Sequence, residues 1–478
     1  MSFKKITAAL LSGLLCLSLA ACKSEPIKTA EITPPAPIAA ENLIDYTQNP
    51  TVLEHVETLQ ASFEELTETD AADFTLEAGE GGLWVKKYNG SAVRVRIPAR
   101  VGETPVVGIA NGAFAGLAEL KALYIPDSVT ALGVGILTGA DAIEALRTPL
   151  LGSSGGDESP YLGYLFFTPD ETYAKADYRD NPIHVPASLK YLALDRMESL
   201  PAYALYDCNK LECLRLSGSI VAIGDFALSN CKSLLAVNVE GLRTLGTYAL
   251  ADCAALTRLD FGECLSSIGF AALEGCGAIR RMTLPFVGGS ATENTYFSYI
   301  FGASDPDFSE GYMPPYLAEL TITATETLAD CAFYDCHTLT AVKLPTTLKH
   351  IGIRAFANCT RLAKIEIPAS VQSIAENAFF GCHSLQSLTF AAPSVLSSVG
   401  INAFYNCVSL TEIVLPQSLK ALPASVFAGC RSLTSVDLGG VTAVGKNAFR
   451  HCDALTSVKS EGDVKLEKGN DVLKALLK

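Results

Sequence analysis

The sequence predicts a solenoid: about twelve stacked 23-residue units, with parallel strands along one side and turns or short helices along the other. Three observations predict it. Cysteines recur at 208, 231, 253 and 276, and again at 336, 359, 382, 407, 430 and 452, at steps of 22 to 25 residues. Three residues before each stands Leu or Phe: Leu205, Leu228, Leu250 and Leu273, then Phe333, Phe356, Phe379, Phe404, Phe427 and Phe449. After each comes an alternating apolar segment, as in Leu362-x-x-Ile365-x-Ile367-Pro368. A unit of this size cannot bury its own apolar face, so neighbours must stack to form one core. With 478 residues, 49% hydrophobic and 18% charged, the chain is too long for a single compact core but suits an array with one inward stripe per unit.

The elements follow in order. Lys4 and Lys5 precede an apolar stretch from Ile6 to Ala21, which reads as a signal peptide over residues 1–21. Leu19-Ala20-Ala21-Cys22 resembles a bacterial lipobox, and that resemblance implies cleavage before Cys22 and acylation of its thiol. Residues 22–48 are rich in Pro and Ala and form a lipidated tether. Over 49–74 the spacing predicts a helix: Asn49 caps it, Pro50 starts it, and Val52, Val56, Leu59, Phe63 and Leu66 share one face. Residues 75–110 form the amino-terminal cap of the solenoid, and repeats occupy 111–148, 194–285 and 322–458, with a carboxy-terminal tail over 459–478.

Within a unit, the segment Leu362-x-x-Ile365-x-Ile367 alternates at period two and is a strand. Its intervening residues, Lys364 and Glu366, lie on the exposed side and do not repeat, so a binding surface would be written there. Proline after the strand and Ala-Phe-x-x-Cys before the next strand resemble the BspA-like leucine-rich-repeat family of bacterial surface proteins, over about residues 75–458. The resemblance implies a leucine-rich-repeat solenoid, surface exposure, and adhesion or host binding in some members; it names no ligand.

Two insertions, 149–193 and 286–321, interrupt the repeat after a strand-ending proline. They match each other: Tyr161-x-x-Tyr164-Leu165-Phe166 parallels Tyr296-x-x-Tyr299-Ile300-Phe301. Loops on a rigid scaffold often carry binding residues, so Tyr161, Tyr164, Tyr296 and Tyr299 are candidate ligand contacts, against the plainer reading that they pack the inserts onto the array.

The ten repeat cysteines, Cys208, Cys231, Cys253, Cys276, Cys336, Cys359, Cys382, Cys407, Cys430 and Cys452, are expected as a buried ladder of free thiols, since parallel side-chain vectors suit disulfide geometry poorly. Cys213, Cys264 and Cys331 lie off the ladder and are expected to be partly exposed. No metal site, cofactor or catalytic residue is predicted. Asp305-x-Asp307-x-Ser309 begins like a calcium loop, but Glu310 occupies the glycine position. Gly152-x-Ser154-x-Gly156 lacks the strand and helix that a nucleophile elbow needs. A net charge of -15 argues against nucleic acid as partner. The expected function is therefore not an enzyme but a monomeric, lipid-anchored extracytoplasmic, cell-surface binder of a protein or glycan; the alternative is a lipoprotein subunit that captures carbohydrate or peptide for an envelope complex.

Overall fold

A computed structural model of the chain describes residues 66–152, 161–167 and 185–477, all within one compact unit, Ile38–Lys478. The signal peptide, Cys22 and the tether fall outside the described residues, as does Ser154.

The described chain is a right-to-its-period solenoid with two parallel sheets. The first is built from the alternating segments, in two six-stranded ladders and a three-stranded one. Its register is that of the repeat: Lys364 pairs with Ser387 and Ile365 with Leu388, 23 residues on. The second residue of each strand, as in Leu146, Leu192, Leu214, Ile365, Leu388 and Ile413, points inward and is buried. The second sheet consists of two-residue strands on the far side, such as His350–Ile351 beside Ser373–Ile374. The sequence predicts turns or short helices there; the turns are present and are joined by these strands. One continuous apolar core runs from Phe74 to Leu473.

Where glycine occupies the step after the short outer strand, it lets successive coils approach closely, although other coils carry Pro201, Ala329, Ala375 and Pro423 there. A Cβ on Gly269 would lie 2.3 Å from the Thr247 backbone nitrogen, and one on Gly400 would lie 2.3 Å from that of Glu376.

Both ends are closed by irregular elements. Phe74–Gly79 and Gly82–Tyr88 form an antiparallel hairpin that pairs with Thr104–Ile109. The helix expected over 49–74 does not reach that far: residues 66–70 have no helix, Ala71–Asp73 is a single 3-10 turn, and Phe74 already pairs with Tyr88. Its earlier part, with Val52 to Phe63, lies outside the described residues. The tail adds Lys465–Leu466 to the second sheet and a short helix, Asp471–Leu476, that buries Leu473. Asn470 ties this end down, donating to the Gly445 and Glu467 carbonyls at 2.9 and 3.0 Å and accepting from the Phe449 N–H at 3.2 Å.

The described parts of the inserts join the solenoid as coils. Strand Ala145–Arg147 pairs directly with Tyr191–Leu194, and Arg281–Leu284 with Glu319–Ile322, so the first sheet continues across each insert. On the far side, 3-10 helices Leu162–Leu165 and Phe297–Phe301 replace the ordinary turn. Leu273 N–H donates to the Ile300 carbonyl at 2.8 Å, and Phe297 N–H donates to Ala332 at 2.8 Å, as Phe333 N–H donates to Ala355 in an ordinary pair of coils.

Candidate functional site

The cysteine ladder is structural. All ten of its thiols are free and buried. Most donate to the carbonyl of the Leu or Phe one coil earlier: Cys253 to Leu228 at 3.2 Å, Cys359 to Phe333 at 3.1 Å and Cys382 to Phe356 at 3.1 Å. A small apolar residue that carries one weak donor fits this position, where alanine would leave both space and a bond unmade. Burial pushes the Cys253 and Cys407 thiols up to about 12, which keeps them protonated and inert. Off the ladder, Cys264 is exposed and Cys331 is half-buried, but Cys213 is buried, contrary to the partial exposure its position predicts. It stands on the outer face of the first sheet, in a small apolar cluster with Ala122, Ala145, Tyr191 and Ala193, against which Leu66 and Tyr124 pack.

Each ordinary coil turns through two left-handed residues, five and one before the cysteine. The second is Asp207, Asn230, Asp252, Asp335, Asn358, Asn406 or His451, or a glycine (Gly275, Gly381 and Gly429), residue types that tolerate positive φ. At the first, the two parts of the array differ. From the second insert onward it is Cys331, Arg354, Asn377, Asn402, Ser425 and Asn447. Between the inserts it is Tyr203, Phe226 and Tyr248, with φ of 60°, 56° and 54°, and then Ala271 at 54°. A bulky aromatic in this region carries a penalty of roughly 1–2 kcal/mol. Such strain at three successive positions points to a use for the rings at the surface.

Those rings form a half-buried ribbon. Tyr203 and Phe226 stack at 5.0 Å, and Phe226 and Tyr248 at 4.9 Å. The ribbon continues edge-on through Phe270 (6.1 Å) to Tyr299 (5.4 Å) and Tyr296 (5.8 Å). Two predicted contacts, Tyr296 and Tyr299, thus terminate it. The Tyr296 hydroxyl donates to the Ala303 carbonyl at 3.2 Å, so its ring edge rather than its hydroxyl faces outward. Tyr164 is also half-buried, on the first insert. Tyr161 is 1% exposed and packs edge-on against Phe167 at 6.1 Å. It is a core residue and is removed from the contact set.

Past Tyr299 the second insert adds what sequence reading did not single out. Its 3-10 helix Pro306–Gly311 is pinned by a buried hydrogen bond between the Ser298 and Ser309 hydroxyls at 2.7 Å. This holds Phe308, Tyr312 and Tyr316 outward, at 63%, 43% and 53% exposure. The Arg280 guanidinium lies 5.3 Å from the Tyr316 ring centre and backs it. Gly302, at φ 103°, turns the chain between Glu274 and Tyr312, both of which would contact a Cβ placed there. Asp305 accepts from the Asp307 N–H at 2.9 Å, so it caps the turn. Among the described residues, no group of three His, Cys, Asp or Glu is placed to hold a metal.

The electrostatics are acidic. Burial, then the neighbouring Glu310 carboxylate, raises Asp335 above the usual carboxylate range. Burial, then Asp252, does the same for Glu274. Burial raises Tyr248 and Tyr296, with Glu274 and Asp305 adding to it, so both phenols stay neutral. The surface around the second insert can offer aromatic edges and negative charge, a chemistry suited to a partner that is apolar and basic.

The BspA type leucine rich repeat model matches residues 188–300 and 326–456, in six copies. Among solved structures, the chain is similar to a leucine-rich repeat protein from Bacteroides ovatus at 17% identity, covering 84% of this chain and 99% of that one with a TM-score of 0.30. A leucine rich cell surface protein from Faecalibacterium prausnitzii matches at 19% identity over 83% of this chain and 95% of that one, with a TM-score of 0.26. An internalin from Listeria monocytogenes matches at 16% identity over 68% and 82%, with a TM-score of 0.31. No curated protein matches the chain.

Proposed function

The chain belongs to the BspA-type leucine-rich-repeat family, and from that premise we propose that it is a lipid-anchored extracytoplasmic binding protein that holds an apolar, basic protein partner on the edge between its inserts. The observation that carries this reading is the aromatic ribbon, three of whose rings stand in left-handed turns, together with the exposed Phe308, Tyr312 and Tyr316 of the second insert where the ribbon ends. The strain of the turns and the exposure of the rings have no role in the core, whereas aromatic anchors dominate many protein interfaces. A solenoid fold is typically a binding scaffold, and the residues that repeat here are structural. The lipobox resemblance at Cys22 supports an anchor, and among the described residues no helix is long and apolar enough to cross a membrane.

Two experiments test the proposal. Mass spectrometry of the native amino-terminal peptide, with protease accessibility on intact cells, reads the anchor and the location: an acylated Cys22 and cleavage at the surface are expected, and an unmodified terminus or full protection removes the surface reading. Binding is read by presenting the protein to a panel of extracellular-matrix proteins and to a glycan array. The F308S/Y312S/Y316S variant is expected to lose at least tenfold in affinity for a matrix protein bound by the parent. Binding to glycans alone would instead favour a subunit that captures carbohydrate for an envelope complex.

A further inference from the structure

Two residues before each cysteine, on the outer side of the turns, the later coils carry a second column: Tyr334, Ala357, Phe380, Tyr405, Ala428 and Arg450. Phe380 and Tyr405 are half-buried and stack there at 5.2 Å with an interplanar angle of 4°. One coil before Phe380 the column has no ring, because the residue is Ala357; two coils before, it has one again, at Tyr334. The break is open to solvent. Tyr334 and Phe380 wall a notch of about 220 Å³ over Ala357, and Arg354, Asn358 and Asn377 complete its lining. Alanine stands in this column twice more, at Ala251 between Ser229 and Glu274 and at Ala428 between Tyr405 and Arg450, and neither lies between two rings.

We propose that this notch holds one pyranose ring of a neutral glycan, stacked between Tyr334 and Phe380. The spacing carries the argument. Successive coils are hydrogen-bonded here: Asp335 N–H donates to the Ala357 carbonyl at 2.9 Å and Asn358 N–H to that of Phe380 at 2.8 Å. Inside the same coils, Phe333, Phe356 and Phe379 stack at steps of 4.9 Å. The outer column rises with the same coils, so its two walls are two steps apart and one ring is missing between them. A ring placed at the missing step would meet each wall at the centroid distance found along the inner stack. The volume limits the occupant to that ring. A site that buries a whole drug-sized ligand takes about 300–1,000 Å³, so the notch holds one unit of a longer chain and leaves the rest in solvent.

The rim selects a sugar over an aromatic side chain. Among the described residues, the Tyr334 hydroxyl, the Arg354 guanidinium and the Asn358 amide make no side-chain hydrogen bond or ion pair. Asn377 Nδ2 donates to Glu376 Oε1 at 3.2 Å, which leaves its own side-chain oxygen as an acceptor. Polar groups thus stand around two apolar ring faces. A pyranose has the matching pattern, with C–H groups on its faces and hydroxyls around its edge. A partner's phenyl ring would desolvate those polar groups without bonding them, which costs affinity. Glu376 on Asn377 and Asp335 beside Tyr334 outweigh the single charge of Arg354, so the sugar is a neutral one. The walls of the notch are not part of the aromatic ribbon, and the proposal does not rest on the protein-binding role given above.

Phe380 and Tyr405 show that the fold accepts a ring in this column, so Ala357→Phe closes the notch by completing it. The full chain is screened on an array of immobilised neutral oligosaccharides of hexose and N-acetylhexosamine, and the one bound best is titrated in solution. Ala357→Phe is expected to weaken that binding by about tenfold or more, with no fall in the unfolding midpoint. F308S/Y312S/Y316S leaves the notch intact and is expected to bind the oligosaccharide as the parent does. If Ala357→Phe melts below the parent, Tyr334→Ala decides: loss of one wall is expected to weaken binding severalfold, and unchanged affinity would overturn the proposal. It is overturned equally if the parent binds no neutral oligosaccharide, or if Ala357→Phe binds as well as the parent. Loss of a matrix protein in Ala357→Phe, with no sugar bound by the parent, would put a partner's aromatic side chain in the notch and overturn it too.

Discussion

The coils of residues 203–276 and those of residues 333–452 use one repeat but put their aromatic rings on opposite sides of the backbone. In the later coils the long stack is inside: Phe333, Phe356, Phe379, Phe404, Phe427 and Phe449 stack in series at 4.9 to 5.4 Å, fully buried, and outside them a half-buried pair, Phe380 and Tyr405, stacks at 5.2 Å. In the earlier coils leucine fills that column, and the stack is moved two residues back to the outer turn at Tyr203, Phe226 and Tyr248. An inner stack serves cohesion between coils. An outer stack gives up part of that, adds left-handed strain, and presents ring edges to solvent. The difference teaches that the period alone sets the scaffold, while the choice of column for the aromatic sets whether the long stack lies inside the array or on its outer turn.

The largest expected effect tests the inner stack. Phe379→Ala removes a ring held between Phe356 and Phe404 and should lower stability by about 3–5 kcal/mol in urea unfolding. The contrast would break if Phe226→Ala, on the outer stack, lost as much.

A smaller effect is expected at the ladder. Cys382→Ala deletes the bond to the Phe356 carbonyl and leaves a small void, for a loss of about 1–2 kcal/mol. The Phe356 carbonyl still accepts from the Cys359 N–H at 3.1 Å, which limits the loss. The same substitution at Cys253, in the earlier part, should give a matching value, because the ladder is common to both. Unequal values would show that the two parts differ in more than their aromatic column.

Much of this was legible in the sequence. Period, strand phase and the inward cysteines follow from spacing, because a stacked coil repeats each contact at a fixed interval. The inner Phe and Leu column was legible for the same reason. The second sheet was not, since strands of two residues, such as His350–Ile351, are too short to show a period. The inserts read as added modules because their motif, Tyr161 to Phe166 and Tyr296 to Phe301, lacks the cysteine; their role as coils rests on backbone hydrogen bonds that any side chain can make. The burial of Tyr161 and Cys213 depends on what packs over them, which spacing does not encode. The outer ribbon did leave a signal, in the aromatic residues at 203, 226 and 248 where later coils carry Asn377, Asn402 and Asn447, but its meaning needs the left-handed turn.

Tyr248→Asn sharpens the comparison by giving an early coil the later coils' residue. Relief of left-handed strain and loss of ring stacking oppose each other, so the unfolding midpoint should move by less than about 1 kcal/mol. Binding to the partner should fall at least tenfold. A large loss of stability with binding intact would mean that the ribbon is a structural stack that happens to be outside.

The smallest effect concerns the acid beside the ribbon. Two residues before the cysteine, the later coils carry Tyr334, Ala357, Phe380, Tyr405, Ala428 and Arg450, none of them acidic, whereas the last early coil carries Glu274. Burial, then repulsion from Asp252, raises its pKa in the folded state. The folded protein therefore binds this proton more tightly than the unfolded chain does, and the contribution of Glu274 to stability falls as pH rises through its folded value and stays lower above it. Glu274→Gln should accordingly raise the melting temperature at pH 7, by about 1 °C given the screening of a largely exposed group. The gap should close as pH drops below the ordinary carboxylate range, where both side chains are neutral. If Glu274→Gln instead melts lower at pH 7, the carboxylate is held by a favourable contact, and the acid belongs to the architecture of the ribbon rather than to the charge it offers a basic partner.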